Sequence, residues 1–202
     1  MNYLAIDTSN TSLIISVCKN GVVKTFEDKN CGVRHSQSVM VETERLLLEC
    51  DLNINDCDFF ACVVGAGSFT GIRIGVSTVK ALAFATNKPV LSITTFDTLA
   101  YNKESGKHLA VIDAKHESFY VCGYNGNKIE YAPSFINQDE LLSLAKEYSL
   151  LSFEEIEGIK TEVVSVANGL TKAIANKLNE LNNDANSLVP LYIRKSQAEE
   201  GR

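Results

Sequence analysis

The sequence predicts an α/β protein of two similar halves, each a mixed sheet with helices packed on it, and three observations carry that expectation. The first is the stretch from Asp58 to Pro89, DFFACVVGAGSFTGIRIGVSTVKALAFATNKP, where a short apolar run meets a Gly-Ala-Gly turn and then a long segment with helical spacing. The second is the opening order of strand, acidic loop, hairpin and helix. The third is the return of that order when HLAVIDAKHESFYVCGYNGNKIEY, from His108 to Tyr131, is laid over the N-terminus. In that overlay Asp113 falls on Asp7, Ser118 on Ser12, Phe119 on Leu13 and Val121 on Ile15, while Asn125-Gly126 falls one residue out of step with Asn20-Gly21. Identity between the halves is thin, so the order of elements carries the repeat. The expected halves are residues 1–104 and 105–202, with Lys103 to Lys107 as the linker and a cleft between them.

Taken in order, Asn2 to Ile6 reads as a short apolar strand ending in Asp7, Thr8 and Ser9. Leu13 to Cys18 and Val22 to Phe26 follow as strands joined through Asn20-Gly21, a pair that suits a two-residue hairpin turn. His35 to Cys50 has helical spacing, with Val39, Met40, Thr43, Leu46, Leu47 and Cys50 on one face and Val41 and Leu48 left over on the other. Phe59 to Val64 reads as a buried strand stopped by Gly65, and Gly65 and Gly67 let the backbone turn where a Cβ would clash. Thr70 is the expected N-cap of the next helix, and Asn87 with Pro89 the expected stop.

On a wheel of about 100° per residue, Arg73, Ser77 and Lys80 of that helix form one narrow strip, and apolar residues cover most of the remainder. That is more grease than one sheet uses. Gly71 and Gly75 lie four apart on one side, which has two readings: close approach to the chain's own sheet, or a surface for another protein's helix. Further on, Val90 to Ile93 reads as a strand and Phe96 to Tyr101 as a short helix. The second half continues with a helix from Gln138 to Tyr148, an apolar run from Val163 to Ala167, a glycine turn at Gly169 and a helix from Leu170 to Leu181. Lys195 to Arg202 reads as a polar tail.

With 202 residues the chain suits one sizeable core or two small domains. The net charge of −6 argues against a basic face that holds nucleic acid by phosphate neutralisation. No apolar run approaches the roughly 20 residues of a bilayer span, and MNYLAIDTSN lacks the build of a signal peptide. The six scattered cysteines form no CxxC pair and read as reduced thiols, which places the chain in the cytosol.

No motif for chemistry is complete in the sequence. Gly65 is followed five residues later by Thr70 with no lysine at the turn, so a phosphate-binding P-loop is absent. Gly65, Gly67 and Gly71 nearly spell a dinucleotide fingerprint, but the last glycine is one residue late and no acidic residue ends the next strand. His35, His108 and His116 share no ligand spacing. Ser68 in GAGSFTG lacks the glycine two residues on that a nucleophile elbow requires. Asp7 and Asp113 admit two readings, a pair holding metal and phosphate in a two-lobed phosphotransferase or loop caps bonded to their own backbone.

The central VVGAGSFTGIRIGVSTVKALA closely resembles the signature of the bacterial TsaB (YeaZ) family, usually GPGSFTGLRIGVATAKGLA, with Ala66 in place of the usual proline. AIDTSN at the start, HSQ at the first helix, VIDAKHESFYV in the second half and PLYIRKSQAE near the end are similar to that family too. The resemblance implies an actin-like, sugar-kinase-like (ribonuclease H-like) ATPase fold with a reduced second half. It implies a non-catalytic role beside the metal-bearing TsaD subunit, together with TsaE and the threonylcarbamoyl-AMP synthase. The product is N6-threonylcarbamoyladenosine on tRNAs that read codons beginning with A. Without TsaD a two-fold homodimer is expected, with no direct tRNA contact and no membrane. The partner surface carried over by position falls on the two apolar helices, at Val39, Met40, Thr43, Leu47, Gly71, Ile72, Gly75, Val76 and Val79. The resemblance implies no cofactor and no metal. A vestigial nucleotide cleft would fall on Asp7, Thr8, Ser9, Gly65, Gly67 and Asp113, with weak affinity because Ser9 stands where such an ATPase usually has glycine. Against this stand an active phosphotransferase using Asp7 and Asp113, and a peptidase, suggested by the older glycoprotease name of the wider family.

Overall fold

The computed structural model describes residues 1–194, and the expected polar tail from Lys195 lies outside the described residues. The chain forms two compact units. Residues 1–94 and 174–191 make the first, and residues from Thr95 to Ala173 with the described chain from Tyr192 make the second. The sequence repeat is laid out with a division at residue 104, whereas the compact units divide after Thr94 and again after Ala173, because the C-terminal segment returns to the first sheet.

In the first unit, β1 (Tyr3–Asp7), β2 (Leu13–Lys19), β3 (Val22–Asp28), β4 (Phe59–Val63) and β5 (Val90–Ile93) form one sheet in the order β3-β2-β1-β4-β5. β1 pairs antiparallel with β2 and parallel with β4, so the sheet is mixed. Every residue of β1 and β4 is buried, as central strands that read as continuous apolar runs require. α1 (His35–Glu49) and α2 (Phe69–Thr86) cover one face, packing Val39, Leu46, Ile72, Val76 and Val79 against Leu4, Ile6, Leu13, Ile15, Phe60 and Cys62. The N-cap of α2 lies two residues before the expected one, at Ser68 rather than Thr70: its side chain accepts from the Gly71 N–H at 3.2 Å. The helix stops where expected, at Asn87 in the left-handed region with φ 53°. The outer edge of β5 is bonded by Asn182, in both directions between the backbones of Val90 and Asn182, and Leu191 donates to the Val64 carbonyl at 2.7 Å.

The second unit begins with α3 (Thr95–Ala100), followed by β6 (Lys107–Asp113), β7 (Ser118–Asn125), β8 (Lys128–Asn137), α4 (Gln138–Leu144), β9 (Ser149–Ser152), β10 (Glu162–Val163) and α5 (Val166–Asn176). Its strand order, β10-β9-β6-β7-β8, repeats that of the first unit element for element. The repeat is a reduced one, with α4 much shorter than α1 and no helix between β9 and β10 in the place of α2. The structure departs from the sequence expectation at several points in this unit. Val163 to Ala167 is only partly strand, and Gly169 is not a turn: it lies inside α5, where a Cβ would come within 1.8 Å of the Thr98 carbonyl oxygen. α4 ends at Leu144 rather than Tyr148, and the apolar pair Leu150 and Leu151 forms β9, which the sequence reading passes over. The overlay slips by one residue after Asp113, because Asp7 pairs with Ile14 while Asp113 pairs with Phe119. The loop after Asp113 is one residue shorter, which explains the Asn-Gly pairs falling out of step.

Candidate functional site

The carboxyl end of β1 meets the Gly65–Ser68 turn and the start of α2. Asp7, Thr8 and Ser9 have no exposed surface. Asp7 Oδ1 accepts from the Ser9 N–H at 2.8 Å, while Oδ2 has no partner among the described residues. Burial pushes the Asp7 carboxyl above its ordinary range, opposed in part by the bonds from Ser9 and by the charge of His35. Thr8 Oγ1 donates to the Gly71 carbonyl at 2.7 Å, and the Ser9 carbonyl accepts from the Ser68 N–H at 2.7 Å. Glycine makes this approach geometrically feasible. A Cβ at Gly67 would lie 2.1 Å from the Ser9 carbonyl oxygen, at Gly71 2.0 Å from that of Thr8, and at Gly75 2.5 Å from Thr8 Oγ1. Gly71 and Gly75 therefore serve close packing within this chain, the first of the two readings open from sequence.

Asp113, in the second unit, is the counterpart of Asp7 at the end of β6. Its Oδ1 accepts from the Lys115 N–H and its Oδ2 from Lys115 Nζ, both at 2.7 Å. Each aspartate thus accepts the backbone N–H two residues on, the bond of an Asx turn. Gly65 and Gly67 turn the backbone as expected and do so at positive φ, 115° and 147°. His35 is buried, with Nε2 3.2 Å from the Ser12 carbonyl oxygen.

The nine expected partner contacts divide unevenly. Val39, Thr43, Leu47, Gly71, Ile72, Gly75, Val76 and Val79 are all buried within this chain, and Met40, 48% exposed, is the exception. The physical reason is that a helix on a sheet spends its most regular apolar face on that sheet. Besides Met40, the large apolar side chains that these two helices expose are those left over from the pattern: Val41 and Leu48 on α1, and Phe84 on α2. Phe84 was missed in the sequence although its signal is legible. It follows Arg73, Ser77 and Lys80 on the polar strip, where a phenylalanine has no core to enter. Val33, just before α1, is 98% exposed. Arg45, on the same side of α1, bonds Glu42 at 2.7 Å and Glu49 at 2.5 Å and lies over the Phe26 ring.

A second group, which the sequence reading did not single out, lies inside the second unit. His108 on β6 is fully buried, its ring parallel to that of Tyr124 at 5.9 Å, and the Tyr124 hydroxyl donates to Asp97 Oδ1 of α3 at 3.1 Å. His108 Nδ1 lies 3.1 Å from the Gly106 carbonyl oxygen, Nε2 has no partner among the described residues, and burial lowers the imidazole pKa. Among the described residues no three His, Cys, Asp or Glu side chains come together as a metal site, and no helix is long and apolar enough to cross a membrane.

Comparison with known proteins agrees with the sequence resemblance. The family model described as TsaD, tRNA N6-adenosine threonylcarbamoyltransferase, matches residues 29–157. The tRNA threonylcarbamoyladenosine biosynthesis protein TsaB of Bacillus subtilis is 34% identical over 133 residues, covering 61% of this chain and 55% of that protein. A tRNA N6-adenosine threonylcarbamoyltransferase of Staphylococcus aureus is 26% identical over 151 residues, covering 59% of this chain and 44% of that one. The chain thus spans about half the length of these curated relatives. The solved structure of YeaZ from Pseudomonas aeruginosa superposes with a TM-score of 0.79 at 21% identity, covering 95% of this chain and 99% of that one, which shows a shared fold.

Proposed function

We propose that this chain, which belongs to the tRNA N6-adenosine threonylcarbamoyltransferase (TsaD) family in its TsaB (YeaZ) branch, is a non-catalytic subunit required for making N6-threonylcarbamoyladenosine on tRNA. It pairs with a TsaD-type catalytic subunit, works with TsaE in the cytoplasm, and leaves the chemistry and the tRNA to its partners. Without the catalytic subunit it pairs with itself through the same flank.

The observation that carries this reading is the outer side of α1 and α2, where Met40, Val41, Leu48 and Phe84 are exposed at 48%, 61%, 74% and 61%. Scattered apolar residues on a surface are ordinary, but here four of them lie on two neighbouring helices. A partner covering them gains about 1.5–3 kcal/mol for each side chain taken fully out of water, before the costs of association. Two groups that chemistry would call on are closed in: His35 is buried with its ring nitrogen at the Ser12 carbonyl, and Asp7 is fully buried beneath a loop bonded to the N-cap of α2.

The test is co-purification with a TsaD-type subunit. Met40→Glu combined with Phe84→Glu is expected to abolish the complex and the dependent tRNA modification while leaving the melting curve of the isolated chain unchanged. An intact complex would overturn the placement of the surface. Retention of tRNA modification in the complete absence of this chain would overturn the function.

A further inference from the structure

The chain contains three Asn-Gly pairs, and the structure treats them differently. Asn168-Gly169 lies in α5, where Asn168 Nδ2 donates to Asn102 Oδ1 at 3.0 Å and the Gly169 N–H donates to the Ser165 carbonyl at 3.0 Å. Asn125 is the last residue of β7, paired with Lys128, and its Nδ2 donates to Glu130 Oε1 at 2.9 Å. Asn20 alone stands in a turn proper, between Lys19 and Val22, which pair across it. Asn20 and Gly21 both have positive φ, 53° and 84°, and both are exposed. The Asn20 backbone N–H is held by Asn2 Oδ1 at 2.8 Å, but its side-chain amide has no partner among the described residues. Nothing lies within 4 Å of the position a Cβ would take on Gly21, so no side chain shields the peptide that follows Asn20.

We propose that Asn20 is a deamidation site, where the Gly21 backbone nitrogen displaces the untethered side-chain amide at the exposed tip of the hairpin. The Gly21 nitrogen gives up its proton and bonds to Cγ of Asn20. The Cγ–Nδ2 bond breaks, and ammonia leaves carrying that proton. Water then adds to the five-membered imide and opens one of its two C–N bonds, giving aspartate or isoaspartate, with no change of oxidation state. Glycine favours the step because it has no Cβ to crowd the attacking nitrogen. The hydrogen bond from the Gly21 N–H to the Met1 carbonyl, at 3.2 Å, must open first, and it joins the turn to a residue outside β1. Either product adds a negative charge. Isoaspartate also routes the main chain through Cβ, which lengthens the two-residue link that sets the register of β3. β3 is the edge strand that braces α1, through Lys24 to Glu49 at 2.6 Å and the Phe26 ring under Arg45. Ageing of the turn is therefore felt at α1.

The full-length chain is held at mildly alkaline pH and 37 °C in ordinary and in heavy-oxygen water, and its peptides are mapped by mass spectrometry over days. The peptide holding Asn20 is expected to gain one mass unit in ordinary water and three in heavy-oxygen water, before those holding Asn125 or Asn168. Asn20→Gly, which keeps a turn-compatible residue at positive φ, abolishes the gain. An earlier gain at Asn125 or Asn168, a gain in the turn peptide that survives Asn20→Gly, or no gain anywhere would overturn the assignment.

Discussion

At the scale of single residues, Asp7 is the position where the fold accepts a cost. A fully buried carboxylate with one unpartnered oxygen has its folded pKa raised by burial, so the stability it contributes is present below its unfolded value of 3.8 and is lost as pH rises through the folded value. Asp7→Asn keeps an oxygen to accept the Ser9 N–H and removes the charge. It is expected to stabilise the chain at neutral pH by on the order of 1 kcal/mol, with the gain vanishing in acid, as thermal melts across pH would show. Gly75 illustrates the opposite constraint. Alanine is ordinarily the better helix residue by about 1 kcal/mol, but a Cβ here lies 2.5 Å from Thr8 Oγ1. Gly75→Ala is therefore expected to destabilise by about 1–3 kcal/mol through overpacking. If denaturant melts showed Gly75→Ala to be neutral, the tight seating of α2 on the β1 loop would be wrong. The identity of Gly75 was legible in the sequence, but its neighbour was not, since Thr8 lies 67 positions away along the chain.

At the scale of elements, α3 is tied to the sheet of the second unit through Asp97, Tyr124 and the stacked ring of His108. Burial lowers the His108 pKa below its ordinary 6.5, so the neutral ring's stabilising contribution is present above 6.5 and declines as pH falls from there toward the folded value. Wild type is expected to lose more melting temperature between neutral pH and mild acid than His108→Gln. Parallel curves would show that this ring does not set the dependence. Hydrophobic periodicity found both helices that carry the proposed partner surface, and it marked Val41 and Leu48 as surplus. It could not say which apolar arc the sheet would take, because a helical wheel records directions around an axis and not which direction the sheet occupies. The eight buried residues show the outcome: the regular arc went inward and the irregular remainder faces out. Val76→Glu is thus expected to unfold the first unit, unlike Met40→Glu with Phe84→Glu, and circular dichroism distinguishes the two.

At the scale of the whole molecule, the C-terminal return closes the first unit. Asn182 bonds the open edge of β5, Ala185 and Leu188 enter the core, and Leu191 binds Val64. A chain ending at Ala173 is expected to lose cooperative unfolding of the first unit and to aggregate through the freed edge. A sharp melt from that truncated chain would show the return to be dispensable. The sequence by itself determined the α/β class, the doubled succession of strand, hairpin and helix, the start of α1, the stop of α2 at Asn87, and the family, because each rests on spacing, turn chemistry or a motif local to its own stretch. Only the tertiary structure decided where the units divide, why the repeat slips by one after Asp113, and which side of α1 and α2 is exposed. These depend on contacts between residues far apart in the chain, and no local pattern records which distant surface a side chain will meet.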